Sequence, residues 1–444
     1  ASFLESTQST RLRHGLPELF SGEVPAADRL HLSLLQNACR ANLESILHWS
    51  FGKPGVDQLN MEANQKTVIN RDDPDLLAKL RQCPDVDLFL PTGIRGYGYC
   101  EDAIAYAKFL ESRLLPMWAL ETPLYDPELN RTVKYHELCP KTPMLFFNHF
   151  WDGVPTSPEF PKDKPVYMMP NIEMYELNEK HWWNVDVVLC KTLTCYDRVT
   201  KWYKQEGNPR NSKVIYTRHT SSDFANFAKT HLGADNIKPK DFKNVRFIHT
   251  AGGSSQKGTE QILECWFTRP DFPPLDFYVA ANEWKSNYEA KYAERINAAS
   301  KINMTSRNLE PLAFGKVIAD ASFFLCTSRM EGYGHYINQA RASGGVIVTT
   351  DAAPMNELIL DTSMGVYVAT TTMSDPNQFL GGSFKGPYGL KNVEGMVALF
   401  GHDDLCRTIE KLVYKTTEAQ RQAMAMLELR QRATGQQQEG ESLP

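Results

Sequence analysis

Along the first fifth of the chain, apolar residues recur at helical spacing in one place only. Leu34, Leu35, Ala38, Ile46 and Leu47 form a stripe that predicts a helix over residues 28–49, set among polar loops. From residue 85 the pattern changes. Residues 86–90 form a short apolar run that reads as a strand, Gly93, Gly96 and Gly98 mark a turn, and 101–115 carry a helical pattern. Further strands are predicted at 144–147, 166–169, 187–190 and 214–216, with polar or helical connections between them. After the Lys- and Pro-bearing stretch 237–243 the alternation starts again, with a strand at 245–249, a glycine loop over 250–258 and a helix over 259–267. Strands at 275–280, 302–305, 322–326 and 346–349 follow. Strand–helix alternation of this kind predicts parallel sheets.

The chain is therefore read as an α/β protein of two doubly wound, Rossmann-like domains. They are expected at 85–238 and 239–415, behind a mostly helical extension over 1–84. Residues 416–444 are read as a helix crossing back to the first domain and a polar, disordered tail. Domains of this type bind ligands at the carboxyl ends of their strands, so a cleft between the two is the expected site.

Composition narrows the function classes. The 444 residues are 42% hydrophobic and 23% charged, as in ordinary globular proteins, and a formal net charge of -5 gives no electrostatic case for nucleic acid. The longest apolar runs fall far short of the roughly 20 residues that cross a bilayer. Nine cysteines, an odd number scattered from Cys39 to Cys406 without metal-ligand spacing, are read as thiols of a reducing compartment, which makes the cytoplasm the expected location. The first residue is Ala1, which fits removal of a preceding segment. Asn130-Arg-Thr and Asn303-Met-Thr match the N-glycosylation triplet and are read as chance matches.

The most informative stretch is 331–357. Glu331-Gly332-Tyr333-Gly334 opens a helix, Gln339-Ala340-Arg341-Ala342-Ser343-Gly344 continues it, and an apolar strand follows. Glycines let backbone amides approach a ligand, and the helix start adds positive potential at the same point. These residues resemble the donor site of the retaining glycosyltransferases of family four, group 1 enzymes with the GT-B fold. That family carries two glutamates separated by seven residues inside a Glu-Gly-aromatic-Gly loop.

The resemblance implies transfer of a hexose from a UDP or GDP sugar to an acceptor hydroxyl with retention of configuration. It implies no metal and no cofactor beyond the nucleotide sugar as co-substrate, with the first domain taking a carbohydrate, glycoconjugate or other hydroxyl-bearing acceptor. Glu331 would hold donor-sugar hydroxyls, with the amides of Gly332, Tyr333 and Gly334 facing sugar and phosphate. Gln339 stands where the family has its ribose-binding carboxylate; an amide still bonds a hydroxyl but without charge assistance.

Other residues are assigned around this motif. The loop Gly252-Gly253-Ser254-Ser255-Gln256-Lys257-Gly258 has the parts of a phosphate cradle, with Lys257 on the diphosphate. The family often adds a second basic residue near Gly253, which this chain lacks. Gly96 and Gly98 are placed near the donor phosphate, and His149, after the strand 144–147, resembles the histidine that the family presents to the sugar. Glu173 is read as a helix cap, and Arg218 and His219 as structural. Glu357 is an outside candidate for binding. Asp85-Val-Asp87 is an acid pair of the metal-binding type, but it precedes its strand and is not assigned a metal.

Three rival readings are kept. A sugar phosphorylase on the same scaffold would need inorganic phosphate. A dinucleotide-dependent oxidoreductase is suggested by the glycine turn at 93–98 followed by Glu121, although the order Gly-x-x-Gly-x-Gly is not the usual one. A catalytically silent nucleotide-sugar-binding protein is suggested by Gln339.

Overall fold

The computed structural model describes residues 25–434 apart from 56, 150, 360 and 361. The first part of the expected extension and the polar tail from 435 lie outside the described residues. Two compact units form, one from Ala26–Ser222 with Pro376–Lys391, the other from Asp223–Asp375 with the described residues from Asn392 to 434.

The first unit is built on an eight-stranded sheet. Its strands are β1 (Ile46–His48), β2 (Val68–Ile69), β3 (Asp87–Phe89), β4 (Arg113–Leu115), β7 (Met144–Phe147), β8 (Val166–Met169), β9 (Val187–Cys190) and β10 (Lys213–Tyr216). A separate hairpin of β5 (Leu124–Asp126) and β6 (Arg131–Val133) lies between β4 and β7 in the chain. The order across the sheet is β10-β9-β8-β7-β3-β4-β1-β2, parallel from β10 to β4, with β1 antiparallel to both β4 and β2. All four residues of β7 are buried, as in a strand covered on both faces.

Three expectations are revised here. The helix predicted over 28–49 spans Ala26–Ala41, and Ile46 and Leu47 leave it to enter β1. Residues 46–48 and 68–69 thus belong to the sheet and not to an appended extension. The helix predicted over 101–115 ends at Phe109, and Arg113–Leu115 is a strand. Arg113 reads as a solvated helix position, yet its guanidinium is buried in a two-point pair with Asp87, 2.7 Å from Nε to Oδ1 and 3.2 Å from Nη2 to Oδ2. The Tyr135 hydroxyl donates to the same carboxylate at 2.6 Å. Asp87 is therefore committed to an internal ion pair.

The second unit carries a six-stranded, fully parallel sheet of β11 (Phe247–Gly252), β12 (Leu275–Val279), β13 (Ile302–Ser306), β14 (Phe323–Cys326), β15 (Val346–Thr350) and β16 (Gly365–Val368), ordered β13-β12-β11-β14-β15-β16. Every residue of β14 and β15 is buried, and β-branched Val346, Ile347 and Val348 suit the pleated, two-sided environment. In 416–444 the described residues include the helix Glu418–Thr434, whose Met424 and Ala425 join the core of this second unit. The segment grouped with the first unit is the loop 376–391. Arg198, Trp202 and Gln205, on the helix Leu193–Glu206, donate to the carbonyls of Leu380 (2.7 Å), Tyr388 (2.6 Å) and Gly389 (2.9 Å). No described helix is long and apolar enough to cross a membrane.

Cysteine chemistry corrects the sequence reading outright. Four disulfides form, Cys39–Cys100, Cys83–Cys139, Cys190–Cys195 and Cys265–Cys406, and only Cys326 keeps a thiol. Three of the bridges join residues 56 to 141 positions apart, so the pairing has no local signature in the sequence. Bridges of this number are typical of oxidising compartments, and the thiol-based argument for a cytoplasmic location no longer holds. Cys265 and Cys406 tie the helix Thr259–Thr268 to the helix His402–Tyr414. Replacing both by Ala is expected to lower unfolding free energy by about 2–5 kcal/mol in urea titrations. An unchanged midpoint would show that this pair is reduced in the native protein.

Candidate functional site

Two loops at the carboxyl ends of adjacent strands build the site in the second unit. The first leaves β11 through Gly252, at φ 58°, and runs as a short 3-10 turn over Ser255–Lys257, where the Ser254 hydroxyl accepts from the Gln256 amide. Gly258, at φ 68°, then turns the chain into the helix Thr259–Thr268, which has no side-chain cap. The second leaves β14 and reaches Gly334, at φ 101°, which starts the helix His335–Ser343, likewise uncapped by a side chain. Two helix starts without competing caps direct their first amides and positive dipole ends to the same region of the sheet edge.

The two loops are locked together. The Arg329 amide donates to the Gln256 carbonyl at 2.7 Å, and the Thr327 hydroxyl donates to the Lys257 carbonyl at 3.4 Å. Lys257 reaches the Glu331 carboxylate and also lies 3.9 Å from the Tyr336 ring centroid, a cation–π distance. Ser328 donates its hydroxyl proton to Glu331. Its oxygen lies 2.5 Å from the Tyr336 hydroxyl, and with the serine proton already committed, Tyr336 is the donor of that bond. Desolvation and the neighbouring Cys326 and Glu331 hold the Tyr336 phenol well above its ordinary range, so it stays a donor. Lys257 and Glu331 have side chains 16% and 12% exposed, accessible to a ligand yet largely desolvated.

Beneath the first loop, His249 is wholly buried on β11 and stacks on Phe277 at 5.7 Å. Its Nδ1 lies 3.0 Å from the Leu325 carbonyl, which only accepts, so Nδ1 carries the proton and Nε2 accepts from the Thr259 hydroxyl at 2.9 Å. The imidazole thereby fixes the first residue of the helix behind Lys257. Burial pushes His249 down to about 4, whereas the unfolded side chain titrates near 6.5. The unfolded chain takes up this proton first as the pH falls, so stability is complete above pH 6.5 and declines toward pH 4. The loss from this group is about 3 kcal/mol across that window. His249→Gln is expected to flatten the pH dependence of urea stability between pH 6.5 and 4; an unchanged slope would assign the dependence to other groups.

The sequence-assigned residues divide between the units. Lys257, Glu331, Gly252, Gly253, Ser254, Ser255, Gly332, Tyr333, Gly334 and Gln339 all belong to the second. Within it, the Tyr333 side chain is buried in the core, leaving its backbone as the part able to face a ligand. Gln339 is buried on the helix His335–Ser343. Gly96, Gly98 and His149 belong to the first unit, after β3 and β7, which are neighbours in its sheet. Gly98 starts the helix Tyr99–Phe109, and the turn before it is pinned by Arg95, whose buried guanidinium donates to the carbonyls of Leu90, Asn42 and Ser45. Glu121, the acid of the dinucleotide reading, is the exposed last residue of the short helix Met117–Glu121 that follows β4. Ser328, Tyr336 and His249 had no role in the sequence reading. Ser328, two residues beyond a wholly apolar strand and three before Glu331, is the one whose position gave a usable signal.

No protein-family model matches the sequence, and no curated protein matches it. Solved structures do share the fold. A glycosyltransferase from Rickettsia africae ESF-5 superposes with a TM-score of 0.51 at 10% identity, covering 79% of this chain and 94% of that one. A UDP-forming alpha,alpha-trehalose-phosphate synthase from Burkholderia xenovorans gives 0.50 at 11% identity, covering 79% and 95%. The fold is GT-B, with two Rossmann-like units.

Proposed function

We propose that the protein is a retaining glycosyltransferase that moves a hexose from a UDP or GDP sugar to an acceptor hydroxyl. The observation that carries this reading is the Lys257–Glu331 pair, held on two interlocked loops where two uncapped helices begin. A cation beside a carboxylate suits a ligand that is anionic at one end and rich in hydroxyls at the other, as a nucleotide sugar is. On binding, Lys257 exchanges Glu331 for the diphosphate, and Glu331, held by Ser328, which Tyr336 in turn braces, accepts from the sugar hydroxyls.

The charge that develops as the diphosphate leaves is met by Lys257, the amides around Gly253 and Gly334, and the two helix starts, all preset before reaction. In the retaining route of the resembled family, the departing phosphate oxygen accepts the proton of the attacking hydroxyl. This chemistry needs no metal in the scheme and no protein base. His149 is assigned to the sugar face and the first unit to the acceptor.

The direct test is sugar release and transfer from UDP- and GDP-hexoses, with EDTA and without inorganic phosphate, read beside thermal shifts with the same nucleotides and with NAD. Turnover under those conditions supports the transferase. A strict need for phosphate would make it a phosphorylase, a shift with NAD alone would overturn the reading, and donor binding without turnover would leave a silent site. Gln339→Glu is expected to keep or raise donor affinity, because a carboxylate accepts ribose hydroxyl bonds with charge assistance. Loss of donor binding in that variant would place the ribose elsewhere.

A further inference from the structure

We infer that Asn130 is an acceptor for an N-linked glycan, added in the oxidising compartment where the disulfides form. The two Asn-x-Thr triplets are equal in sequence and unequal in structure. Asn130 is exposed at the tip of the β5–β6 hairpin, at φ 50°, with Thr132 exposed two residues on. Its Oδ1 accepts from the Tyr125 hydroxyl at 2.6 Å, and among the described residues its Nδ2 makes no hydrogen bond. Asn303 lies inside strand β13, where its Nδ2 donates to Asp276 at 3.1 Å. Arg246 grips the same carboxylate with two nitrogens, at 2.5 and 2.6 Å. A sugar on Asn303 would displace a bond in that ladder; a sugar on Asn130 displaces none.

The disulfides supply the independent half of the argument. Cys83–Cys139 closes the chain segment that contains the hairpin, and Arg81 reaches Asp126 at the hairpin's base. The turn is thus presented on a covalently braced element, in a chain with four bridges of the kind that form outside the cytosol. Exposed Asn-x-Thr turns in such compartments are the positions where glycosylation places a bulky, solvated group without cost to the core.

In the modification, Asn130 Nδ2 bonds to the anomeric carbon of an oligosaccharide carried on a lipid diphosphate. The sugar–phosphate C–O bond breaks, the lipid diphosphate leaves with the electron pair, and the amide proton passes to a base of the modifying enzyme. No oxidation or reduction is involved. The site is independent of the sugar-transfer reading.

The test uses the full chain isolated from its own source. Non-reducing peptide mass mapping is expected to find eight oxidised cysteines and a glycan on residue 130, which an amide-cleaving glycosidase converts to Asp. Asn130→Gln and Thr132→Ala should each abolish the gel mobility shift, and Asn303→Gln should keep it. Thr132→Ala retains Asn130 and its bond to Tyr125, so loss in both variants is not a collapse of the hairpin. An unmodified Asn130, a glycan on Asn303 alone, or free thiols at the eight paired positions would each overturn the inference.

Discussion

Glu331→Ala is expected to lower sugar transfer by roughly 10²-fold or more while the protein remains folded. The magnitude follows from removing one preset contact to the transition state, about 3 kcal/mol in sites where charge and hydroxyl positions are fixed before reaction. Glu331 is placed for such a contact by three constraints. It follows β14 on a loop tied to Gln256, it accepts from Ser328, and it faces Lys257. The loss should fall mainly on kcat, since the diphosphate contacts through Lys257 and the loop amides survive, so UDP or GDP should still raise the melting temperature of the variant. Glu331→Gln separates charge from shape. It keeps the hydrogen-bonding outline and should lose less if hydroxyl binding dominates, or as much if the negative charge is what counts. Near-normal transfer by Glu331→Ala would sink the assignment of this carboxylate to the donor. A variant that no longer binds nucleotide would show that it holds the diphosphate loop together instead.

How far the sequence led depended on whether a feature is local. β7, β14 and β15 are wholly buried, and their apolar runs are legible because a strand covered on both faces needs no polar alternation. The two glycine loops were legible for a similar reason, since Gly258 and Gly334 occupy positive φ where the chain turns from strand to helix. β4 was missed because Arg113 carries a charge that is neutralised by Asp87, 26 residues away. β1 and β2 were missed because strands of three and two residues carry no period; they are added at the β4 edge of the sheet by antiparallel pairing. The disulfides were missed because long-range pairing leaves no spacing to read, and the odd count misdirected the argument toward free thiols. In the site, Lys257 and Glu331 were each assignable from their own loops. Their contact, and the Ser328–Tyr336 bond that braces it, depends on β11 and β14 being neighbours in a sheet where they are far apart in the chain.

Gly258→Ala tests that interlocking directly and is expected to be severe. Gly258 has φ 68° and ψ 22°, a left-handed conformation that costs an L-residue about 1 kcal/mol by itself. A Cβ there would lie 2.2 Å from the Thr327 carbonyl oxygen and 2.9 Å from Cζ of Phe400. The first of these is backbone and cannot rotate away. The chain has two escapes. Either the loop lifts off, separating Lys257 from Glu331, or residues 327–331 move with it and pull the Arg329 amide from Gln256. Both break the contact on which the donor site is assembled, so nucleotide binding should be lost together with about 3 kcal/mol or more of stability, in the range of substitutions at strained backbone positions. Gly253→Ala is the control within the same loop. A Cβ at Gly253 meets nothing within 4 Å, so its melting temperature should stay near that of the unaltered protein. If Gly258→Ala melts with the control and still binds nucleotide, the two loops are not packed as described, and the carboxylate and the cation do not act as one site.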